Sequence, residues 1–175
     1  MKKYIKHVVS ILLVLALIVS LSVTSFADTT WRNRVASFQA ISAANYSSYT
    51  EYVKAAQRFL QLYSYDTHEL IMNNGGIDGI FGSKTRDAVI KFQTLTNLDP
   101  DGVVGTNTWG KMYDIMTQNN YSSTEVLFYC YNYYPSESGL SQAVLKATYN
   151  GSTWGFCTAN SYGLLQESNI FCYRS

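Results

Sequence analysis

Two octets of nearly the same sequence hold most of the residues in this chain whose types and spacing could do chemistry. Residues 78–85 read DGIFGSKT and residues 101–108 read DGVVGTNT, so Asp, Gly, Gly and Thr recur at the same offsets. A glycine-rich loop can cradle phosphate, and an Asp-rich loop can bind calcium. The spacing within each octet decides between these ligand chemistries and a structural role.

Neither ligand chemistry meets its required spacing. A phosphate loop needs consecutive Gly, Lys and Ser or Thr, and Ser83 stands where the glycine before Lys84 must be. A calcium loop is matched better, because 97–102 places Asn, Asp, Asp and Gly at its first, third, fifth and sixth positions. Its twelfth position should be a bidentate Glu and is Thr108. We therefore predict no metal site and no cofactor.

The structural interpretation of each octet is a turn that leads into a helix. Asp caps its own turn, the first Gly supplies a positive φ, and Gly-Ser or Gly-Thr opens the helix. We expect the apolar pairs Ile80-Phe81 and Val103-Val104 to be buried beneath the helices. Most residues of the two octets would then serve packing.

Three short amphipathic helices are predicted around these turns. The apolar stripes are Val53, Ala56, Phe59, Leu60 and Tyr63 in the first helix, Ala88, Val89, Phe92 and Leu95 in the second, and Trp109, Met112, Tyr113 and Met116 in the third. Residues 64–77 read as a long connection, and Asn97 to Pro100 end the second helix. Because no such helix can bury its apolar face alone, the three are expected to form one small bundle.

The sequence after about Tyr121 predicts strands. VLFYCYNYY (126–134) is β-branched and aromatic, NIFCYR (169–174) is a further strand, and AVLKATY-NG-STWGFC (143–157) is a hairpin with a type I′ turn at Asn-Gly. That turn would pair Tyr149 with Ser152, Ala147 with Trp154 and Leu145 with Phe156. We predict a small antiparallel β domain at 121–175, and hence an α+β fold.

All three cysteines, Cys130, Cys157 and Cys172, lie in this β domain. A sheet of this size buries little core and gains from a cross-link, so we predict one disulfide. The pair Cys157–Cys172 closes a short loop worth about 3 kcal/mol in the chain-entropy model, and the two pairings that include Cys130 are the alternatives. The remaining cysteine would be buried or available for self-association.

The first 27 residues have the layout of a secretory signal, with Lys2, Lys3 and Lys6, a long apolar run and cleavage after Ala27. An uncleaved membrane anchor is the alternative. Cleavage removes three lysines and no acid, which changes the net charge from +1 to −2. We thus predict an exported protein that binds neither nucleic acid nor, after cleavage, the membrane. Residues 28–50 form an N-terminal extension with one short helix through Trp31, Val35 and Phe38.

The run from Tyr52 to Met116 resembles the peptidoglycan-binding domain family, three-helix modules found on bacterial cell-wall hydrolases. The residues that carry the resemblance are Gln57, Leu60, Asp78, Gly79, Phe81, Gly82, Thr85, Ala88, Val89, Phe92, Gln93, Asp101, Gly102, Val103, Val104, Gly105, Thr108 and Trp109. The resemblance implies a domain at 51–118 that binds peptidoglycan without a reaction or a cofactor. The connection 64–77 is longer than the family usually has.

Four polar or amphipathic residues near the turns are predicted to contact a glycan or a stem peptide in a shallow groove: Tyr65, Asp78, Arg86 and Asp101. On this hypothesis Arg86→Ala weakens retention on the cell wall without unfolding the domain.

Family members are commonly fused to a catalytic domain, and the β domain is the part of this chain that could be one. Cysteine or serine catalysis needs a base, usually His, and the one histidine after the signal is His68, in the long connection of the helical module. The cysteines lie too far apart in sequence for a zinc site. Paired-carboxylate hydrolysis would have to use Glu137 and Glu167. We predict a non-catalytic protein, with a wall hydrolase and a Tyr-rich coat or matrix component as the alternatives.

Overall fold

The computed structural model describes residues 31–33, 35–36, 38–122, 125–131, 141–149, 154–158 and 171–173. The chain divides into two compact units, Met1–Arg34 and Val35–Ser175. Residues 31–33 are the described part of the first unit and are helical, and the predicted signal at 1–27 lies outside the described residues. Among the described residues, no helix has the length and apolar character needed to cross a bilayer.

The second unit consists of helices followed by an antiparallel sheet. A 3₁₀ turn at Tyr46–Ser48 precedes the helices α1 (Thr50–Tyr63), α2 (Tyr65–Met72), α3 (Ser83–Leu95) and α4 (Thr106–Ile115). The strands are β1 (Thr117–Ser122), β2 (Glu125–Tyr131), β3 (Ser141–Tyr149), β4 (Trp154–Thr158) and β5 (Phe171–Tyr173), in the spatial order β1-β2-β3-β4-β5. Every pair of neighbours is antiparallel. The predicted α+β class is confirmed.

Helix α1 lies at the centre of this unit. Its eight consecutive residues 55–62 are all buried, and it contacts α2, α3 and the strands β2, β3 and β4. The sequence predicted a single apolar face for this helix, as an amphipathic surface helix would have. The structure differs because helices and sheet both pack against α1, so its polar residues are buried as well.

Arg58 is the polar link between α1 and the sheet. The side chain is 0% exposed, its Nε donates to the carbonyl of Ala143 on β3 at 2.9 Å, and its Nη1 donates to Gln61 Oε1. Burial lowers the pKa of Arg58 to about 10, which still leaves the guanidinium charged at neutral pH. The helices and the sheet are therefore joined by a desolvated, hydrogen-bonded cation as well as by apolar contacts.

The N-terminal extension contributes to the core of the helices. The ring of Phe38 packs edge-on against Tyr52 and Trp109, with centroid separations of 5.3 Å. Trp109 Nε1 donates to the carbonyl of Gln39 at 3.2 Å, and Ile41 forms an antiparallel bridge with Val104. The predicted short helix is present at 31–33 and 35–36, whereas Phe38 lies beyond it.

The prediction that residues 64–77 form a long connection is wrong, because α2 occupies 65–72. Ser64 and Thr67 form a capping box in which each side chain bonds the other residue's backbone N–H. His68 Nδ1 bonds the carbonyl of Gln61 at 2.9 Å, and Asp66 pairs with Lys91 of α3 at 2.7 Å. Two of the predicted inward residues also differ, since Leu95 is 48% exposed and Met116 follows the end of α4.

The predicted hairpin is present, but its register is shifted by two residues. Tyr149 pairs with Trp154, Ala147 with Phe156 and Leu145 with Thr158, which leaves 150–153 between the strands. The prediction of a two-residue type I′ turn at Asn-Gly is therefore wrong. Leu145 and Ala147 are buried as predicted, because a shift of two keeps each side chain on the same side of the sheet. Strand β1 was missed, since its sequence TQNNYS has no apolar alternation.

The predicted disulfide is not formed. Cys130 and Cys157 are both buried thiols, and each of the three possible pairings requires at least one of them. Cys172 lies opposite Gly155 across the pair β4–β5. The sheet packs against α1 and so does not depend on a small core of its own, which removes the reason for a cross-link. Its buried residues include Val126, Phe128, Leu145 and Ala147.

Substitution Arg58→Ala is expected to destabilise the protein by about 3 kcal/mol, because it leaves the Ala143 carbonyl and the Gln61 amide oxygen buried without their donor. The measurement is urea unfolding at neutral pH. The control is Lys84→Ala, whose exposed ion pair with Asp87 spans 3.7 Å and should change stability by less than about 0.5 kcal/mol. Equal unfolding midpoints for the two variants would contradict the role assigned to Arg58.

Candidate functional site

The first Asp-Gly turn is closed by the buried amide of Gln57 on α1. Gln57 Nε2 donates to Asp78 Oδ1 at 2.8 Å, to the Ile80 carbonyl at 3.2 Å and to Thr85 Oγ1 at 3.2 Å. Gln57 Oε1 accepts from the backbone N–H of Gly79 at 2.9 Å. Asp78 Oδ1 also caps its own turn by accepting from the N–H of Ile80 at 2.8 Å, as the sequence predicted.

The second turn repeats this network atom for atom around Gln93 on α3. Gln93 Nε2 donates to Asp101 Oδ1 at 2.8 Å, to the Val103 carbonyl at 3.0 Å and to Thr108 Oγ1 at 3.1 Å. Gln93 Oε1 accepts from Gly102 N–H at 2.9 Å, and Asp101 Oδ1 accepts from Val103 N–H at 2.8 Å. Each copy of the repeat therefore consists of an octet and a glutamine on the helix that precedes it.

The two copies form an internal repeat, and helix α3 contributes residues to both copies. Its first turn carries Thr85, which completes the first network, and its C-terminal half carries Gln93, which starts the second. Asp78 follows Gln57 by 21 residues, whereas Asp101 follows Gln93 by 8. The 13 additional residues of the first copy include α2. Because of this insertion, the distance in sequence from the glutamine to the octet differs between the two copies, so the glutamines do not recur at the same offset as the octets.

Gly79 and Gly102 are required by conformation and by packing. Their φ angles are +79° and +75°, in the region that favours glycine. A Cβ on Gly79 would collide with Thr50 Cγ2 of α1, and a Cβ on Gly102 would lie 2.8 Å from Arg86 Cγ of α3. Each turn is therefore pressed against the helix that supplies its glutamine.

The expectation that both residues of each apolar pair are buried is half right. Phe81 and Val104 are 1% and 0% exposed, but Ile80 is 52% exposed and Val103 is intermediate. The turn points the first residue of each pair outward because its N–H and carbonyl serve the glutamine network. The helix starts follow the prediction: Gly82 and Gly105 are the N-caps of α3 and α4.

A cavity of about 220 Å³ lies beside the second turn. Its lining consists of Gln93, Leu98, Asp99, Asp101, Val103, Gly105, Thr106, Asn107 and Thr108. Both the turn and the first residues of α4 contribute to it, so the cavity combines carboxylates with the start of a helix. The sequence does not indicate that Asp99 and Asn107 lie near the same cavity, because they are eight positions apart and a turn lies between them.

The four predicted contact residues lie at three places. Asp78 and Asp101 are exposed, each uses Oδ1 within its own turn, and Asp101 lines the cavity. The side chain of Arg86 runs over Gly102 and so reaches the second turn. Tyr65 is 55% exposed and begins α2. Arg86 and Asp101 are thus brought to the same turn, whereas Asp78 belongs to the other turn.

The groups that could do nucleophilic chemistry are held in other roles. His68 bonds a backbone carbonyl, and burial raises the pKa of the Cys130 thiol to about 12, against a smaller opposing effect of Arg58. Glu137 and Glu167 lie outside the described residues. Within the described part of the chain, no three His, Cys, Asp or Glu side chains are grouped as metal ligands would be.

Helices held by paired glutamine networks define a small module with two equivalent turns, and comparison with known proteins identifies its family. Residues 50–112 match the peptidoglycan binding domain family. This segment is a peptidoglycan-binding domain, which confirms the resemblance inferred from the sequence. A domain of this kind indicates association with the cell wall.

The related proteins match short segments of the chain. A Kitasatospora aureofaciens protein described as an uncharacterized protein in the bpoA1 3′ region is 61% identical over 36 residues, which are 21% of this chain and 30% of that protein. A probable N-acetylmuramoyl-L-alanine amidase and the N-acetylmuramoyl-L-alanine amidase CwlL, both of Bacillus licheniformis, are 44% and 42% identical over 43 residues. These residues are 25% of this chain, which spans only 12% of each amidase.

A crystal structure of a peptidoglycan-binding protein from Clostridioides difficile in complex with glutamine hydroxamate is also similar. It is 40% identical over 42% of this chain and 40% of its own, with a TM-score of 0.33.

The four glycines of the two turns form matched pairs for a stability test. Gly79→Ala should destabilise the protein by about 2 kcal/mol or more, because it places a Cβ at positive φ against Thr50. Gly82→Ala should cost less than about 1 kcal/mol, since Gly82 has a φ of −78° and open space around its Cβ position. Thermal and urea unfolding of both variants provide the measurement. A larger loss for Gly82→Ala would contradict the assigned turn geometry.

Proposed function

We propose that this chain is an exported, non-catalytic protein that is retained on peptidoglycan by its helical domain. The observation that carries the proposal is the pair of complete Gln–Asp–Gly–Thr networks within the matched segment 50–112. Each network fixes a turn and the start of a helix through hydrogen bonds within the protein. The surface around both turns is therefore preorganised, which reduces the entropic cost of binding a wall polymer.

Export is proposed from the N-terminal sequence, whose basic, apolar and small-residue segments follow the order of a secretory signal. The polymer that such a domain binds lies outside the cytoplasmic membrane, so export and wall binding support each other. An exported protein that binds this polymer is expected to be retained at the wall and not released into the medium.

The absence of catalysis is proposed from the state of the potential nucleophile and base. A cysteine nucleophile acts as a thiolate, and burial favours the neutral thiol of Cys130 at any physiological pH. His68 is fixed against the Gln61 carbonyl, on the helical part of the chain. The sheet is better suited to a second binding or display surface, which packs on α1 and is bonded to it through Arg58.

We propose that Arg86 and Asp101 contact the wall at the second turn, and that Asp78 and Tyr65 extend the contact surface on either side. Arg86 offers a cationic fork to stem-peptide carboxylates, and the aspartates offer acceptors to hydroxyl, amide or ammonium groups. Tyr65, with more than half of its side chain in solvent, offers a flat amphipathic surface.

A second candidate function, wall hydrolysis, is favoured by one observation. Two of the similar proteins are described as a probable and a named N-acetylmuramoyl-L-alanine amidase. The shared segment amounts to 12% of those proteins, so this chain would have to supply catalytic residues of its own. Glu137 and Glu167 are the candidates for hydrolysis of the glycan, which is a different reaction from the cleavage of an amide bond.

The first experiment is a sedimentation assay with purified insoluble peptidoglycan, in which turbidity of the suspension is followed at the same time. The proposal predicts that the protein sediments with the polymer while turbidity stays constant. Falling turbidity that is abolished by Glu137→Gln or Glu167→Gln would instead establish the hydrolase. Failure to sediment would overturn wall binding. A non-reducing gel of the same sample tests self-association through a cysteine, the requirement of the coat alternative.

A second prediction concerns Arg86. Substitution Arg86→Met keeps the aliphatic stem that covers Gly102 and removes the charge, so it should leave stability within about 0.5 kcal/mol and weaken retention several-fold. Lys84→Met, two residues away in the first turn of the same helix, is the matched control and should bind as the unmodified protein does. Unchanged retention of Arg86→Met would remove Arg86 from the contact surface.

A further inference from the structure

The turn that follows α2 contains an Asn-Gly dipeptide, Asn74-Gly75, and both residues are exposed. Asparagine is a thermolabile residue, because the backbone nitrogen of the next residue can attack its side-chain amide. A glycine in the next position leaves that nitrogen most accessible, since it has no side chain to cover it. The dipeptide therefore has the composition and the exposure that a spontaneous covalent modification requires.

The nitrogen that would attack is that of Gly75, and it donates to no acceptor in the part of the chain that the structure describes. The N–H groups on either side of it, those of Asn74 and Gly76, both donate to the carbonyl of Ile71, at 3.2 and 3.0 Å. Gly75 itself has a φ of +104°, which glycine adopts readily. Attack by this nitrogen consequently breaks no hydrogen bond within the described protein, whereas attack by either neighbour would.

The side chain of Asn74 is held by one exposed hydrogen bond. Its Nδ2 donates to the carbonyl of Leu70 at 3.1 Å. An exposed bond of this kind adds little net stability, because water replaces either partner. Rotation about the Cα–Cβ bond then releases the amide from Leu70 and allows its Cγ to approach the nitrogen of Gly75.

Asn97 provides a contrast within the same domain. It is exposed at the end of α3 and has a φ of +58°. The next residue is Leu98, whose N–H donates to the carbonyl of Gln93 at 2.8 Å. Attack on Asn97 would have to break this bond and pass a branched side chain, so this asparagine is expected to be stable.

We propose that Asn74 is a site of spontaneous deamidation. The backbone nitrogen of Gly75 forms a bond to Cγ of Asn74, the Cγ–Nδ2 bond breaks, and the proton of the attacking nitrogen leaves with the amide group as ammonia. Water then opens the resulting imide ring. Opening at Cγ gives aspartate, and opening at the backbone carbonyl gives isoaspartate, in which the chain continues through Cβ and Cγ.

Both products place a carboxylate at the end of α2. A negative charge is unfavourable at the C-terminus of a helix, and the donor to the Leu70 carbonyl is lost as well. Glu69 is a further carboxylate at this end of the helix, where its Oε2 accepts from Asn73 Nδ2 at 2.7 Å. The modification is therefore expected to destabilise the last turn of α2.

The effect reaches the first Asp-Gly turn through Gly75. A Cβ on Gly75 would lie 2.8 Å from Asp78 Oδ2, so the two residues are in close contact. Isoaspartate lengthens the backbone by one methylene beside this contact and must displace one of them. Asp78 Oδ1 accepts from the amide of Gln57, which in turn accepts from the N–H of Gly79. The first network is therefore expected to loosen, while the second network is unaffected.

The first test is incubation of the folded protein in a warm, mildly alkaline buffer, followed by digestion and mass spectrometry that distinguishes aspartate from isoaspartate. We expect the peptide that contains Asn74 to gain one mass unit and to yield both products. The rate should rise with pH, because the attacking nitrogen must lose its proton. Asn97 should stay unmodified in the same digest. The dipeptide Asn150-Gly151 lies outside the described residues, and its peptide is scored separately.

The same incubation in concentrated urea shows whether the folded turn permits the reaction. We expect the folded protein to react at a rate within about tenfold of the unfolded chain, because the turn leaves the attacking nitrogen unbonded. The control is Asn74→Gln, which keeps the amide but would have to form a larger ring and should remain unmodified. Modification of Asn74 in the unfolded protein alone, or equal rates at Asn74 and Asn97 in the folded protein, would overturn the proposal.

The second test measures the consequence for the first turn. The deamidated protein is more negative and is separated by anion exchange. Hydrogen exchange at the N–H of Gly79 should become about tenfold faster in the isoaspartate form, and exchange at the N–H of Gly102, its counterpart in the second turn, should not change. Asn74→Asp adds the charge without the methylene and should lower the melting temperature by about 2–4 °C. Unchanged exchange at Gly79 would disprove the link to the first turn.

Discussion

The helical domain depends on a buried glutamine amide that bonds a turn, a carboxylate and a helix start at the same time. A buried amide without partners is costly, so Gln57 and Gln93 fix the position of every group they bond. Each amide accepts from a glycine N–H that only a left-handed turn presents, and donates to the aspartate that caps this turn. Loss of the glutamine leaves the buried N–H of Gly79 or Gly102 without its acceptor.

These networks also explain how helices of modest length pack stably. α3 has 13 residues and α4 has 10, which is short for a helix that must be stable in isolation, so both rely on packing. Both begin at a glycine N-cap that offers no side-chain bond, and Thr85 and Thr108 within their first turns are tied to the networks instead. Helix α1 then serves as the common core element, because α2, α3 and three strands all pack on it. The sheet is consequently an extension of the helical core, which accounts for two buried thiols where an isolated sheet would gain from a disulfide.

Duplication with one insertion gives the domain its asymmetry. The glycine turns, the amide networks and the buried second apolar residue are the same in both copies. Only the first copy carries α2 and the segment that covers Asp78. The two copies thus share the turn and the amide network and differ in the segment that lies beside the aspartate.

The sequence by itself determined the features that arise from local chemistry. The Asp-Gly turns, the glycine N-caps, the inward faces around Phe92 and Trp109, and strands β2 to β5 follow from residue type, periodicity and turn propensity over a few positions. Even the wrong hairpin register preserved the buried face, because a two-residue shift leaves the alternation unchanged.

Only the tertiary structure decided which buried polar groups meet. The partners of Gln57 lie 21 to 28 residues away, and Arg58 bonds a carbonyl 85 residues away, so no local pattern reports them. For the same reason α1 was predicted to have one buried face and proved to be buried on all sides. The cavity is lined by residues from Gln93 to Thr108, and separation along the chain carries no information on how close they come in space.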